Sequence, residues 1–301
     1  MIRAALFGAL VLAAGCRSEP APAPAAITFL GPDGQPVTLA QLPVSRIVST
    51  NQAATDWLVR LGAADRLVAR TDFDKQPALA ALPSIGGGLE TSAEVIAALH
   101  PDVLLAWRNG SSVGLAKALA QFSIPVIAVE VTDTAEVFAQ LETIGRLIGN
   151  VTDADWAAET LRGELDSLRY SACADDRHPE SVVIETWDSP PNTAGASAWM
   201  SQLLAGACLT NIFADVDVPW PVVSMETIAA RHPRWVLTST GSPPDGRLAA
   251  LRKTPGWREL EAVKAGRVIE IDPDIFSRAG PGLADWIRAV RAARDRIEEG
   301  G

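Results

Sequence analysis

All three histidines of this 301-residue chain stand directly before a proline, as His100-Pro101, His178-Pro179 and His232-Pro233. Proline keeps its predecessor out of the α region, and His100 and His232 stand at equivalent helix ends of a repeat, so a structural role is expected of them rather than catalysis. Nucleophile motifs are also missing. Gly195-Ala-Ser197-Ala-Trp199 lacks the final glycine of a G-x-S-x-G elbow, and neither a P-loop nor a complete G-x-G-x-x-G occurs. Three histidines and three cysteines are too few for a rich His/Cys cage, so no metal site is expected. With 36 acidic side chains against 26 basic ones, the net charge is −10. Phosphate backbones need concentrated Lys and Arg, so nucleic acid is excluded as a partner. With no nucleophile or base to name, the residues point away from an enzyme and towards a binding protein.

The elements that must position any binding residues are revealed by an internal repeat. Glu94-Val-Ile-Ala-Ala-Leu-His-Pro-Asp-Val-Leu-Leu105 recurs as Glu226-Thr-Ile-Ala-Ala-Arg-His-Pro-Arg-Trp-Val-Leu237, with seven of twelve positions identical at an offset of 132. Each copy reads as a short helix, stopped before proline and followed by an apolar strand; Ser92 and Ser224 precede them as N-caps. So long an offset predicts two similar lobes. In the first, Arg46–Ser49, Leu67–Ala69, Val103–Ala106 and Pro125–Val129 read as strands, with helices over Ala53–Leu61 and Val113–Phe122. In the second, Ser181–Thr186, Trp235–Thr238 and Arg267–Ile271 read as strands, with a helix near Trp199–Leu204. Apolar strands alternating with helices predict parallel sheets covered on both faces, hence an α/β protein of two Rossmann-like lobes. Ligands of such sheets sit outside the carboxyl ends of the strands. Between the lobes, residues 153–172 hold no proline and one glycine, Gly163, which predicts a single long helix of about 20 residues joining them. The expected boundaries are therefore 27–152, 153–172 and 173–301.

Ahead of these lobes, residues 1–15 read as an export signal: Arg3 is basic, and Ala4–Gly15 is an apolar run of twelve, too short to span a bilayer. The run ends Leu12-Ala13-Ala14-Gly15-Cys16, similar to a bacterial lipobox except that Ala13 stands where leucine is usual. Lipidation of Cys16 is expected, ordinary cleavage beside a free thiol being the alternative. Alternating Pro and Ala over residues 19–26 then make an extended tether. In an oxidising compartment, the remaining Cys173 and Cys208 suit a disulfide, or else two buried thiols.

Several stretches resemble the periplasmic substrate-binding proteins of the rigid, helix-linked class that feed ABC importers, over nearly the whole chain from Arg46 onward. Asn211-Ile-Phe-Ala-Asp-Val-Asp-Val-Pro-Trp-Pro-Val-Val-Ser-Met-Glu226 carries most of the likeness, with Ala106-Trp107-Arg108 and Asp274-Ile-Phe-Ser-Arg278 supporting it. Within that class the likeness is greatest to cobalamin binders. The resemblance implies a cobalamin or related corrinoid as transported ligand, with no resident cofactor, held between the lobes by Trp220, Asp274 and Arg278, and Trp107 follows a strand end where contacts belong. Pro219 and Pro221 restrict Trp220 and favour a rigid loop presenting a flat apolar face. Asp274 and Arg278 suit the donors and acceptors of peripheral amides, or pair with one another as an i, i+4 surface couple. Where relatives place cleft aromatics, this chain has Thr71, Gly88 and Asn192, with Phe73 and Trp187 nearby as substitutes.

The resemblance further implies that Glu94 and Glu226, one per lobe, dock on basic pockets of a two-fold permease dimer, the protein itself being a periplasmic, lipid-anchored monomer. Each glutamate also suits its own helix N-terminus. A haem or ferric-siderophore binder would share this architecture. Haem, however, favours a Tyr or His ligand, and the sole tyrosine, Tyr170, falls in the linker helix. A lipoprotein with another role on the same fold is the remaining alternative.

Overall fold

The computed structural model describes residues 28–39, 41–88, 91–173, 178–240 and 246–300; the export signal, Cys16 and the Pro/Ala tether lie outside them. A short antiparallel hairpin of β1 (Thr28–Leu30) and β2 (Pro36–Thr38) comes first. The first lobe then runs β3 (Ile47–Ser49), α1 (Gln52–Arg60), α2 (Ala93–Ala97), β4 (Val103–Ala106), α3 (Gly110–Ala120), β5 (Val126–Ala128) and α4 (Thr134–Ile148). Its sheet is parallel, in the order β3-β4-β5, with Ile47 opposite Val103 and Leu104 opposite Val126. Helix α5 (Val151–Tyr170), 20 residues long, leads to the second lobe. There follow β6 (Glu180–Ile184), a small hairpin of β7 (Trp187–Asp188) and β8 (Pro191–Asn192), α6 (Trp199–Leu203), β9 (Leu209–Asn211), α7 (Met225–Ala230) and β10 (Trp235–Ser239). Then come α8 (Arg247–Leu251), α9 (Glu261–Lys264), β11 (Val268–Ile271), α10 (Pro273–Phe276) and α11 (Leu283–Gly300). The second sheet is parallel throughout, ordered β11-β10-β6-β9.

Strand side chains alternate between the two faces of a sheet, and that alternation divides the core. Ile47, Val103, Leu105 and Ile127 face one way, while Val48, Leu104, Ala106 and Val126 face the other. In the second lobe Val182, Ile184, Leu237 and Ile269 oppose Val183, Val236 and Val268. Each outer face has its own apolar cluster, but the two inner faces belong to one continuous cluster. Helix α5 enters that shared core through Ala154, Ala157, Ala158, Leu161 and Leu165. Trp199 of α6 and Trp286 of α11 meet edge to face there, ring centres 5.8 Å apart. α4 and α5 approach so closely that a Cβ on Gly145 would lie 2.5 Å from that of Ala154; only glycine fits that crossing.

The repeat is visible atom by atom. Ser92 Oγ accepts from Val95 N to start α2, as Ser224 Oγ accepts from Thr227 N to start α7. His100 and His232 both end those helices at φ 48°. After each histidine, Asp102 N donates to Arg46 O and Arg234 N to Ser181 O, tying each copy to its neighbouring strand.

Two expectations are corrected. Leu67–Ala69 forms no strand: it makes one parallel bridge, Leu67 with Ile47, because the chain next pairs Arg70 N with Pro83 O and Ile85 N with Arg70 O. The linker helix also begins and ends two residues earlier than expected, since Asn150 already carries its N-cap and Ser171 its C-cap. Just beyond it, Cys173 and Cys208 are joined in a disulfide with Cα atoms 5.2 Å apart.

Candidate functional site: the cleft between the lobes

Two adjoining cavities, of about 490 and 550 Å³, open between the lobes at the carboxyl ends of the strands. Trp107, directly after β4, and Glu130, two residues after β5, line both. The first cavity adds Phe73, Gly87, Arg108, Asp274 and Arg278; the second adds Trp187, Asn192, Met200, Trp220 and Phe276. A larger hollow of about 920 Å³ lies under the β1–β2 hairpin, beside Arg46, Asp102 and Pro125. It is at the amino ends of the first sheet's strands and touches no residue expected to bind ligand, so volume does not identify the site.

Trp220 is held from behind by main chain. Thr193 N donates to Pro221 O, Gly195 N to Pro219 O at 2.8 Å, and Ala196 N to Val216 O at 2.7 Å. The approach is possible because residue 195 is glycine: a Cβ there would sit 2.0 Å from Val218 O. Asn192 completes the fastening, its Nδ2 donating to Trp220 O at 3.2 Å while its Oδ1 accepts from Thr186 Oγ1. Beneath, Asn211 Nδ2 donates to Ala194 O and its Oδ1 accepts from Phe213 N. The half-buried Trp220 thus packs against the shared core and also borders the cavity. Trp187 rides on the β7–β8 hairpin, 63% exposed. Arg247 braces that hairpin, reaching the buried Glu185 and, at 3.0 Å, Asp188.

Asp274 and Arg278 do line the cleft, but they are engaged across it. Arg278 reaches Asp274 at 3.1 Å, Asp56 of α1 at 3.3 Å, and the carbonyl of Phe73. Lys75 Nζ lies 3.0 Å from Asp274 Oδ2. Burial holds the Asp56 carboxyl above its ordinary 3.8 although Arg278 and Gln76 pull it down. For Asp274 burial also pushes upward, yet Lys75 and Arg278 together outweigh it and hold the carboxyl below 3.8. Glu130 is raised from 4.5 by burial, with Arg108 opposing and Glu136 reinforcing.

The remaining expected positions divide. Phe73, 50% exposed, and Asn192 border the cleft. Thr71 does not: it is fully buried, its N and Oγ1 both donating to Asp74 Oδ2, so it fastens the loop carrying Phe73. Gly88 lies in a smaller neighbouring hollow beside Glu94, and Gly87 takes the place at the cleft. Glu94 and Glu226 are exposed at the second position of α2 and α7; its own main-chain N–H and then Ser224 lower the Glu226 carboxyl from 4.5. Asp56, Lys75 and Glu130 were not anticipated. Glu130 obeys the strand-end rule that singled out Trp107, whereas nothing local in sequence joins Asp56 to a residue more than two hundred positions away.

This geometry has known counterparts. The chain is 29% identical over 247 residues to the vitamin B12-binding protein of Pectobacterium carotovorum subsp. carotovorum (strain PC1), covering 82% of this chain and 87% of that one. It is 28% identical over 307 residues to an uncharacterized ABC transporter substrate-binding lipoprotein, YvrC, of Bacillus subtilis (strain 168), covering 96% and 95%. Among solved structures, a periplasmic heme binding protein from Pseudomonas aeruginosa superposes with a TM-score of 0.71 at 26% identity, over 83% of this chain and 92% of that one. The periplasmic binding protein family model matches residues 47–275. Two parallel-sheet lobes facing one another across an aromatic cleft therefore place this chain in the periplasmic binding protein family, as a substrate-binding protein of an ABC transporter.

Proposed function

We propose that the protein captures cobalamin or a related corrinoid between its lobes and hands it to an ABC importer. The observation that carries this reading is the pairing of wide aromatic surface with balanced charge. Trp107 from one lobe and Trp220 from the other border the same cavity, and burying ring faces supplies most of the binding energy for a broad flat ligand. Around them Arg108 faces Glu130, Arg278 and Lys75 share Asp274, and Arg278 also reaches Asp56. A cleft whose arginines are already partnered suits a neutral, amide-edged ring. An anionic siderophore or a haem with its propionates needs cations to spare, and neither Tyr170 nor any histidine is among the residues lining the two cavities.

Glu94 and Glu226 are the expected contacts to the permease, one on each lobe, and Cys16 the expected lipid-bearing residue that holds the protein at the membrane. The test of ligand class is direct. Purified protein is incubated separately with cyanocobalamin, hemin and a ferric hydroxamate, then desalted and read by visible absorbance. The corrinoid spectrum alone is expected to co-elute; retention of hemin or the ferric hydroxamate instead would replace this reading with the corresponding one.

A further inference from the structure

We propose that Glu130 selects the ligand by the chemistry of its edge, accepting hydrogen bonds from primary-amide N–H groups and rejecting rings that carry carboxylates in their place. This rests on the corrinoid reading of the cleft and adds a residue to it. Glu130 and Trp107 are the two side chains common to both cavities, so a ligand filling the cleft must pass the carboxylate. Its one ion-pair partner among the described residues, Arg108, stands at 3.4 Å, beyond the usual 2.7–3.2 Å of an N–H···O bond. The carboxylate is partly buried, with 35% of the side chain exposed, and still has acceptor capacity to offer. Burial without full compensation raises its pKa, which is the condition a ligand N–H would relieve.

The surrounding charges sharpen the choice. Charged groups in and beside the cleft are paired: Arg108 lies near Glu130, Arg278 near Asp274 and Asp56, and Lys75 near Asp274. Both arginines among the described residues lining the two cavities, Arg108 and Arg278, already have carboxylate partners, so neither is free to neutralise an incoming carboxylate. A ligand carboxylate beside Glu130 would meet a like charge in a site that water leaves as the ligand enters, and rejection of that kind gives selectivity without adding contacts.

The test compares two corrins with the same ring: cyanocobalamin, whose edge carries amides, and a corrin whose peripheral amides are hydrolysed to carboxylates. Both are titrated by calorimetry into the wild type, Glu130→Gln and Arg108→Ala. The wild type should prefer the amide ring by roughly 10–100-fold, the scale of one charge-assisted hydrogen bond. Glu130→Gln should reduce that ratio towards one, and Arg108→Ala, by removing the cation 3.4 Å from Glu130, should increase it. A merely structural role would weaken both rings equally and leave the ratio unmoved. If the wild type binds cyanocobalamin but Glu130→Gln keeps the ratio within about twofold, the selector role is overturned and the corrinoid reading survives. If the wild type binds neither ring, both fail together.

Discussion

A tryptophan between two prolines is readable as a stiff aromatic wall, and Trp220 stands at the cleft as that pattern suggests. What sequence could not supply was the backing that aims it. Gly195 sits in a stretch that resembles an incomplete nucleophile elbow, yet its physical role is to let the loop of residues 216–221 press against its main chain. Any side chain there must push Val218 away, at a cost of about 1–3 kcal/mol. Gly195→Ala should therefore lower the melting temperature by several degrees and, by displacing Trp220, weaken ligand binding at least tenfold by titration. An unchanged affinity would mean that the loop can be relocated without consequence. Thr71 shows the converse failure. The family resemblance sets it where relatives carry cleft aromatics, but a short hydroxyl finds a nearer partner in Asp74 and turns inward.

Elements were legible wherever periodicity and punctuation agreed. The repeated helix–His–Pro–strand unit could be drawn from its prolines and serine caps, and His100 and His232 share one backbone angle because the same stop is used twice. Leu67–Ala69 misled because a short apolar run, with Leu67 and Ala69 buried and Val68 half-buried, looks alike in a strand and in a loop; after one bridge to Ile47 the chain turns to pair with residues 83–85 instead. Ion pairs between elements were invisible for a different reason, since Lys75 and Asp274 become neighbours only through the fold. That pair predicts a pH dependence. A carboxyl held below its ordinary 3.8 stabilises the fold above that pH, and the contribution is lost as pH falls through the lowered value. Asp274→Ala should thus lower stability at pH 7 by roughly 0.2–1 kcal/mol, the range for partly exposed pairs, and the deficit should shrink as melts are taken further below pH 3.8 and vanish once the pH is under the lowered value. Asp56 opposes this trend, because its carboxyl is raised by burial and favours the folded state more when protonated. A deficit that persists in acid would show the aspartate to matter by packing alone.

At the scale of the molecule, two lobes do not mean two independent cores. The inner faces of both sheets, α5, α6 and α11 form one apolar cluster, so calorimetry should record a single cooperative transition rather than one per lobe. The Cys173–Cys208 disulfide ties the end of the linker helix to the second lobe across 35 residues. Replacing both cysteines by serine should cost roughly 3–4 kcal/mol by the loop-entropy relation, with reductant then having no further effect on the double variant. A shared core also limits how far the lobes can part, which keeps the ordering cost of binding low and leaves the permease to recognise surface. Glu94→Ala combined with Glu226→Ala should abolish importer stimulation while ligand affinity stays within about twofold; undiminished uptake would remove the docking role.

The central claim, a corrinoid held between the lobes against Trp220, is tested most directly by calorimetric titration of cyanocobalamin into the wild type and Trp220→Ala. One-to-one binding is expected in the wild type, weakened in the variant by about 2 kcal/mol or more, roughly 30-fold in Kd. No binding by the wild type, or equal binding by both proteins, would contradict the account.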